Sequence, residues 1–194
     1  RGAVAGMGRA WQIITRRLIT NGHKVTVLDH DPQTIENLSK VGFRAYYGDA
    51  TRPDLLHSAG LEDAKLFIAT LDDRAKQTEL VHHVAKTYPN VKIHARAHDR
   101  HHVYELEQAG AHHAERETFE GSLAMGRDAL KVLGHHPFGA QTAMRTFRRH
   151  DMASLNDLRE TYNADGVSAS YIAAMRVQAN TLFELMSADR AERH

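Results

Sequence analysis

The stretch that decides the fold is AVAGMGRAWQIITRRL, residues 3–18, where a short apolar run leads through two close glycines into a helical pattern. Gly6 permits a tight turn, and Gly8 lets the backbone approach a phosphate held at the helix amino terminus. The third position of a dinucleotide-binding turn is normally glycine, for close packing of helix on strand, but here it is Trp11. An indole there is expected to push the helix off the strand or to lie across the phosphate path. This favours a mononucleotide over a full dinucleotide.

Outward from this turn, strand and helix patterns alternate along the chain. The apolar runs recur roughly every 20 residues, at 3–5, 25–28, 44–47, 66–70, 91–95 and about 112–114. Helical spacing between successive strands forces parallel pairing, because each crossover returns the chain to the same edge of the sheet. The pattern predicts an α/β fold, a Rossmann-like doubly wound parallel six-stranded sheet, over residues 1–117.

After the last strand the pattern becomes helical. Residues 121–133 predict one long helix, a His-His-Pro string breaks it, and residues 139–194 are mostly helical and polar. We therefore predict a crossover helix and a helical C-terminal dimerisation extension over residues 118–194. The segment 139–194 has too few apolar residues to fold alone, so it should pack on the sheet domain or on a second copy of the chain.

Composition excludes several classes of function. The 194 residues carry a net charge of +1, so no charge excess points to nucleic acid or to an anionic membrane. No apolar run approaches a membrane span, and the absence of cysteine excludes disulfides and a thiol nucleophile. These features predict a soluble intracellular domain. Because the first strand begins almost at Arg1, we expect the chain to be one domain of a longer protein.

Acidic side chains follow the second and third predicted strands. Asp29 ends the second strand, where a carboxylate accepts hydrogen bonds from ribose hydroxyls. The string GDAT, residues 48–51, ends the third strand beside it. The sequence predicts a nucleotide site made of Gly6, Gly8, Arg9, Asp29, His30, Asp49, Ala50 and Thr51.

The sequence contains no convincing catalytic pair and no convincing metal-binding motif. Tyr88 and Lys92 have the Tyr-x-x-x-Lys spacing of short-chain dehydrogenases, but Pro89 breaks any helix that would hold both on one face. The 15 histidines come mostly as adjacent pairs, whose side chains diverge on a helix or a strand. We expect surface histidines, no metal site and no catalytic residue.

Arginines stand in three places: Arg16 and Arg17 on the first helix, Arg116 after the last strand, and Arg148 and Arg149 in the tail. By themselves these arginines are typical of a solvated face. Longer strings of the sequence favour a ligand-binding role for them instead. The chain contains GMGRAWQIITRRL, LDHDP, YYGDATRPDLLHSAG, HARAHDR, QAGAHHAERETFEGSLAMGR and FRRHDM, in this order.

These strings resemble the regulatory (KTN/RCK, TrkA-N-like) domain of bacterial glutathione-gated potassium efflux (Kef) systems, from Arg1 to about Met152 and more loosely beyond. The resemblance implies a homodimeric regulatory domain, not an enzyme, joined to a membrane antiporter domain at the cytoplasmic face of the bacterial inner membrane. It implies AMP or NAD(H) in the Rossmann cleft. Glutathione would keep the system closed and glutathione conjugates would open it. A flavin-dependent quinone-oxidoreductase-like ancillary subunit would dock on the domain.

Carried over by position, the family's glutathione-binding arginines fall on Arg16 and Arg116, and a third ligand position, Asn in some members, falls on Asp151. The aromatic that senses a bulky conjugate falls on Val41. Two alternatives stay open at this point. One is a Trk-type NAD-sensing regulatory subunit of potassium uptake, and the other is an NAD-dependent oxidoreductase.

Overall fold

The computed structural model describes residues 2–6 and 10–191, and within them six strands form one parallel sheet. The spatial order is β3-β2-β1-β4-β5-β6. The strands are β1 (Gly2–Gly6), β2 (Val25–Asp29), β3 (Arg44–Tyr47), β4 (Leu66–Thr70), β5 (Lys92–Ala97) and β6 (His113–Arg116). All six predicted runs are strands, and the doubly wound parallel sheet is confirmed. The β5 strand extends two residues beyond its predicted end.

Helices connect the strands and form the carboxyl-terminal part of the chain. They are α1 (Ala10–Thr20), α2 (Pro32–Lys40), α3 (Pro53–Ser58), α4 (Arg74–Thr87), α5 (Arg100–Ala109), α6 (Phe119–Val132), α7 (Pro137–Asp157), α8 (Arg159–Asp165) and α9 (Ala169–Ala191). Side-chain caps fix where several of them begin. The Asp31 carboxylate accepts from the amides of Gln33 and Thr34 at the start of α2, and Asp73 accepts from Lys76 N at the start of α4.

The chain forms two compact units, Arg1–Glu117 and Thr118–His194. In the first, β2, β4 and β5 are largely buried, and Val27, Phe67 and Ile93 are fully buried, as expected of a parallel sheet with helices on both faces. The strand order reverses between β1 and β4, since the chain adds strands first on one side of β1 and then on the other. In such sheets this reversal opens a crevice at the carboxyl ends of the strands.

Trp11 lies in the core rather than in that crevice. Its side chain is 3% exposed and packs in one cluster with Val25 and Val27 of β2, Leu38 of α2 and Ile68 of β4. The expectation that the indole lies across the phosphate path is therefore wrong, because burying it against these apolar side chains is more favourable than leaving it in a solvated cleft. The burial of Trp11 does not test whether the indole pushes α1 away from β1, so the preference for a mononucleotide stays a prediction.

In the second unit, aromatic pairs join the helices. The rings of Phe119 and Phe147 lie 6.5 Å apart, and those of Tyr162 and Tyr171 lie 5.6 Å apart. Several large apolar side chains of this unit stay exposed, among them Val132, Leu133, Phe138 and Phe183. Within residues 2–6 and 10–191, no helix combines the length and the hydropathy that a membrane span requires.

Candidate functional site

Acidic side chains from several elements surround a cavity at the carboxyl ends of β2, β3 and β4. We call it the central cleft. Its lining residues are Leu28, Asp29, His30, Gly48, Asp49, Ala50, Leu71, Asp72, Asp73 and Lys76. Four of the predicted nucleotide-site residues are thus brought together from two strand ends.

Asp29 is the most buried carboxylate of the cleft, with a side chain 3% exposed. Burial raises its pKa, while a hydrogen bond from Asp31 N to Oδ1 at 2.9 Å acts in the opposite direction. The His30 imidazole lies 3.6 Å from the same oxygen. A buried carboxylate at the end of the second strand is suited to accept from ribose hydroxyls.

Asp49 is fixed by its own loop. The amide and the hydroxyl of Thr51 donate to Asp49 Oδ1 at 2.9 and 2.7 Å, and these bonds lower the pKa of Asp49. Gly48 N donates to Asp29 O at 2.9 Å, which ties this loop to the end of β2. Gly48 has a φ of +149°, a conformation that favours glycine. Thr51 therefore acts on the cleft by holding Asp49.

The opposite wall, residues 71–76, was missed by the sequence reasoning. A fully buried amide holds it: Leu71 N donates to Gln77 Oε1 at 3.0 Å, and Gln77 Nε2 donates to Ala69 O at 2.6 Å and to Arg96 O at 3.0 Å. Arg96 Nη2 also donates to Leu71 O at 3.1 Å. The available signal was the pair of aspartates, Asp72 and Asp73, shortly after the fourth strand. Gly6 ends β1, whereas the predicted residues Gly8 and Arg9 lie outside the described residues.

A second cavity lies between α1 and α2, and we call it the α1–α2 cavity. Its volume is about 290 Å³, and its lining residues are Trp11, Gln12, Thr15, Arg16, Thr34, Asn37, Leu38, Val41 and Phe43. It combines an exposed guanidinium, an apolar wall and several neutral polar groups. The buried Thr15 Oγ1 has no hydrogen-bond acceptor or donor within the described part of the chain. Such a site suits an anionic ligand with an apolar portion.

The two remaining predicted ligand residues lie elsewhere. Arg116 ends β6 at one edge of the sheet and is half-buried, whereas α1 follows the inner strand β1. Arg116 does not line the α1–α2 cavity, and two strands, β4 and β5, separate β6 from the β1 strand that precedes α1. Asp151 lies on α7 of the second unit and is half-buried.

One histidine contradicts the expectation of surface histidines. His102 on α5 is fully buried, with its Nδ1 accepting from His98 N at 3.0 Å and its Nε2 3.0 Å from Thr78 Oγ1. It is a satisfied core residue rather than a ligand. Among the residues that the structure describes, no group of three His, Asp or Glu side chains is placed to hold a metal ion. Tyr88 follows α4 and Lys92 begins β5, so they do not share a helix.

Each of the two units matches a known protein family. Residues 3–116 match the TrkA-N domain, and residues 121–194 match the Potassium efflux system KefB C-terminal domain. The second match favours Kef over the Trk-type alternative. The chain is 42% identical, over 96% of its length, to the Glutathione-regulated potassium-efflux system protein KefC of Enterobacter sp. (strain 638). It spans 30% of the length of that relative.

Solved structures are also similar to the chain. The Shewanella denitrificans Kef CTD in AMP bound form has a TM-score of 0.74 and 38% identity, covering 82% of this chain and 98% of that one. The TrkA-N domain of the inner membrane protein ybaL from Escherichia coli has a TM-score of 0.61 and 25% identity, covering 69% and 96%. The sheet, the helical tail and these matches together show that the chain belongs to the family of Kef regulatory C-terminal domains, built on a TrkA-N fold.

Proposed function

We propose that this chain is the ligand-sensing domain of a glutathione-regulated potassium efflux antiporter. The observation that carries the proposal is the α1–α2 cavity, which places Arg16 and Val41 around one space. They are the positions at which the family resemblance expects a carboxylate ligand and a sensor of bulky conjugates. The name of the KefC relative agrees with this reading.

Glutathione fits the chemistry of these residues. It carries two carboxylates and one ammonium group, and a planar guanidinium binds a carboxylate through two parallel hydrogen bonds. Arg16 and Arg116 would each take a carboxylate, and Asp151 would receive the ammonium group. Because one protomer keeps the two arginines apart, we propose a two-fold dimer that sets Arg16 of one chain opposite Arg116 of the other.

The central cleft is the proposed nucleotide site. Asp29 and Asp49 would accept from ribose hydroxyls, and the β1–α1 turn, with Gly6, Gly8 and Arg9, would take the phosphate. AMP is the first choice because the related Shewanella denitrificans structure is in AMP bound form. NAD(H) is the alternative occupant.

Signalling, rather than catalysis, is the proposed mode of action. Glutathione would favour the closed state of a two-state dimer, and a conjugate with a bulky substituent would favour the open state. Each ligand shifts the equilibrium only by its difference in affinity for the two states. The membrane antiporter domain of the full-length protein would receive the change at the cytoplasmic face of the inner membrane. A flavin-dependent quinone-oxidoreductase-like subunit is the proposed ancillary partner.

Titration calorimetry with glutathione tests the site. Each guanidinium–carboxylate contact contributes about 1.5–3 kcal/mol, so Arg16→Ala and Arg116→Ala should each weaken binding roughly 10- to 150-fold. Lysine at either position should restore binding only in part, because it lacks the planar fork. AMP binding should not change in these variants.

Arg17→Ala is the matched control, since Arg17 is also exposed and is adjacent on α1 but does not line the cavity. It should bind glutathione like the wild type. Equal affinity in Arg16→Ala, Arg116→Ala and the wild type would exclude the proposed site.

A further inference from the structure

A buried guanidinium joins the central cleft to the segment that carries Arg116. Arg96 on β5 is 9% exposed, and its Nη2 donates to Leu71 O at 3.1 Å and to Asp72 Oδ1 at 2.6 Å. Its Nη1 donates to Glu117 Oε1 at 3.1 Å. One side chain therefore bonds to two segments of the chain, one after β4 and one after β6.

Each of these segments belongs to a proposed ligand site. Leu71 and Asp72 line the central cleft. Glu117 directly follows Arg116, and its N–H donates to Ala97 O at 2.9 Å. The position of Glu117 therefore sets where the chain leaves β6, and with it the position of Arg116.

The geometry makes this connection stiff. The guanidinium is planar, so the nitrogen that holds Asp72 and the nitrogen that holds Glu117 move together. The backbone of Arg96 is held as well, because Gln77 Nε2 donates to its carbonyl at 3.0 Å. The side chain is buried, so the strength of its bonds to the two carboxylates depends on their staying in place.

We propose that Arg96 is a positioning residue through which nucleotide occupancy of the central cleft changes glutathione affinity at Arg116. The inference rests on the proposed function, which supplies the two ligands. A nucleotide in the cleft fixes Leu71 and Asp72, and Arg96 transmits that order to Glu117. Arg116 is then pre-organised, so glutathione loses less conformational freedom on binding. By reciprocity, glutathione tightens nucleotide binding by the same factor.

Calorimetry with both ligands on the whole chain tests the coupling. Glutathione is titrated into the protein with and without saturating AMP, and AMP is expected to tighten glutathione binding about five-fold or more in the wild type. Arg96→Lys keeps the charge but not the bridging fork, and Glu117→Gln weakens one arm at a half-exposed carboxylate. Both variants should still bind AMP alone and glutathione alone. The factor by which AMP tightens glutathione binding should fall toward one.

Glu62→Gln is the control, because Glu62 is a similarly exposed carboxylate paired with His57 and lies in neither site. It should keep the full factor. A second measurement needs no glutathione. AMP should slow hydrogen exchange of the Glu117 amide in the wild type and in Glu62→Gln, and not in Arg96→Lys or Glu117→Gln.

The possible outcomes distinguish failure of the proposed function from failure of the proposed role of Arg96. If AMP or glutathione alone fails to bind the wild type, the proposed function fails. If both bind without coupling, or if both Arg96→Lys and Glu117→Gln keep the coupling, Arg96 is not the connection and the inference is wrong. Should Arg96→Lys not fold, Glu117→Gln decides by the same two measurements.

Discussion

Replacing Gln77 with leucine should destabilise the fold, because Gln77 holds the wall of the central cleft formed by residues 71–76. The Gln77 side chain is fully buried at the amino-terminal part of α4 and makes three hydrogen bonds to the backbone, with Leu71 N, Ala69 O and Arg96 O. Ala69 and Arg96 lie near the carboxyl ends of β4 and β5, and Leu71 directly follows β4. Gln77→Leu keeps the approximate volume of the side chain and removes all three bonds.

The size of the effect follows from that count. Each buried backbone group left without a hydrogen bond destabilises the fold by about 1 kcal/mol or more, so the total is roughly 3 kcal/mol. For a chain of this size, that lowers Tm by about 6–12 °C. Because Leu71 lines the cleft, AMP binding should weaken as well. Thermal melting followed by circular dichroism, with calorimetry for AMP, measures both effects.

Glu79→Leu on the same helix is the matched control, since Glu79 is exposed and should change Tm little. A Tm for Gln77→Leu as high as that of Glu79→Leu would refute the reasoning. It would mean that water or a shift of the backbone satisfies the three groups.

Three further predictions concern packing, protonation and assembly. Gly110→Ala should lower Tm by more than Gly42→Ala, because both glycines have positive φ but only at Gly110 would the new Cβ lie 2.4 Å from Ala85 Cβ; similar losses in the two melting curves would contradict this. Burial lowers the pKa of His102 from 6.5 to about 4, so the unfolded chain takes up the proton first and about 3 kcal/mol of stability should be lost as pH falls from 6.5 toward 4. Urea unfolding across this range should show a shallower loss in His102→Gln, and an identical pH dependence would rule out this role. Truncation after Leu133 should give a monomer by light scattering if the tail forms the proposed dimer, whereas a shortened chain that stays dimeric would place the interface elsewhere.

The sheet could be predicted because its signals are local. The strands β1, β2 and β4 are short apolar runs. The helices between strands begin or end at recognisable residues, such as Asp31 with its side-chain cap. The acidic half of the central cleft was predictable for the same reason, since Asp29 ends β2 and Asp49 lies two residues after β3.

The rest of the site depends on contacts between residues distant in sequence. Gln77 reaches back to the end of β4 and across to β5, and Arg96 joins two loops. Nothing in the spacing of these residues indicates which backbone groups they meet. Trp11 was misinterpreted for a related reason: its position in the turn motif suggested the cleft, whereas the apolar side chains of β2 and α2 determine where the indole is buried.

The burial of Trp11 gives the protein an intrinsic optical reporter. Trp11 is the only tryptophan of the chain, and it lines the α1–α2 cavity beside Arg16. Its fluorescence therefore comes from one known place, shielded from water and next to the proposed glutathione site. A ligand that enters this cavity changes the polarity around the indole, which lines the α1–α2 cavity and not the central cleft. Emission from the unlabelled protein should thus report directly on occupancy of the α1–α2 cavity.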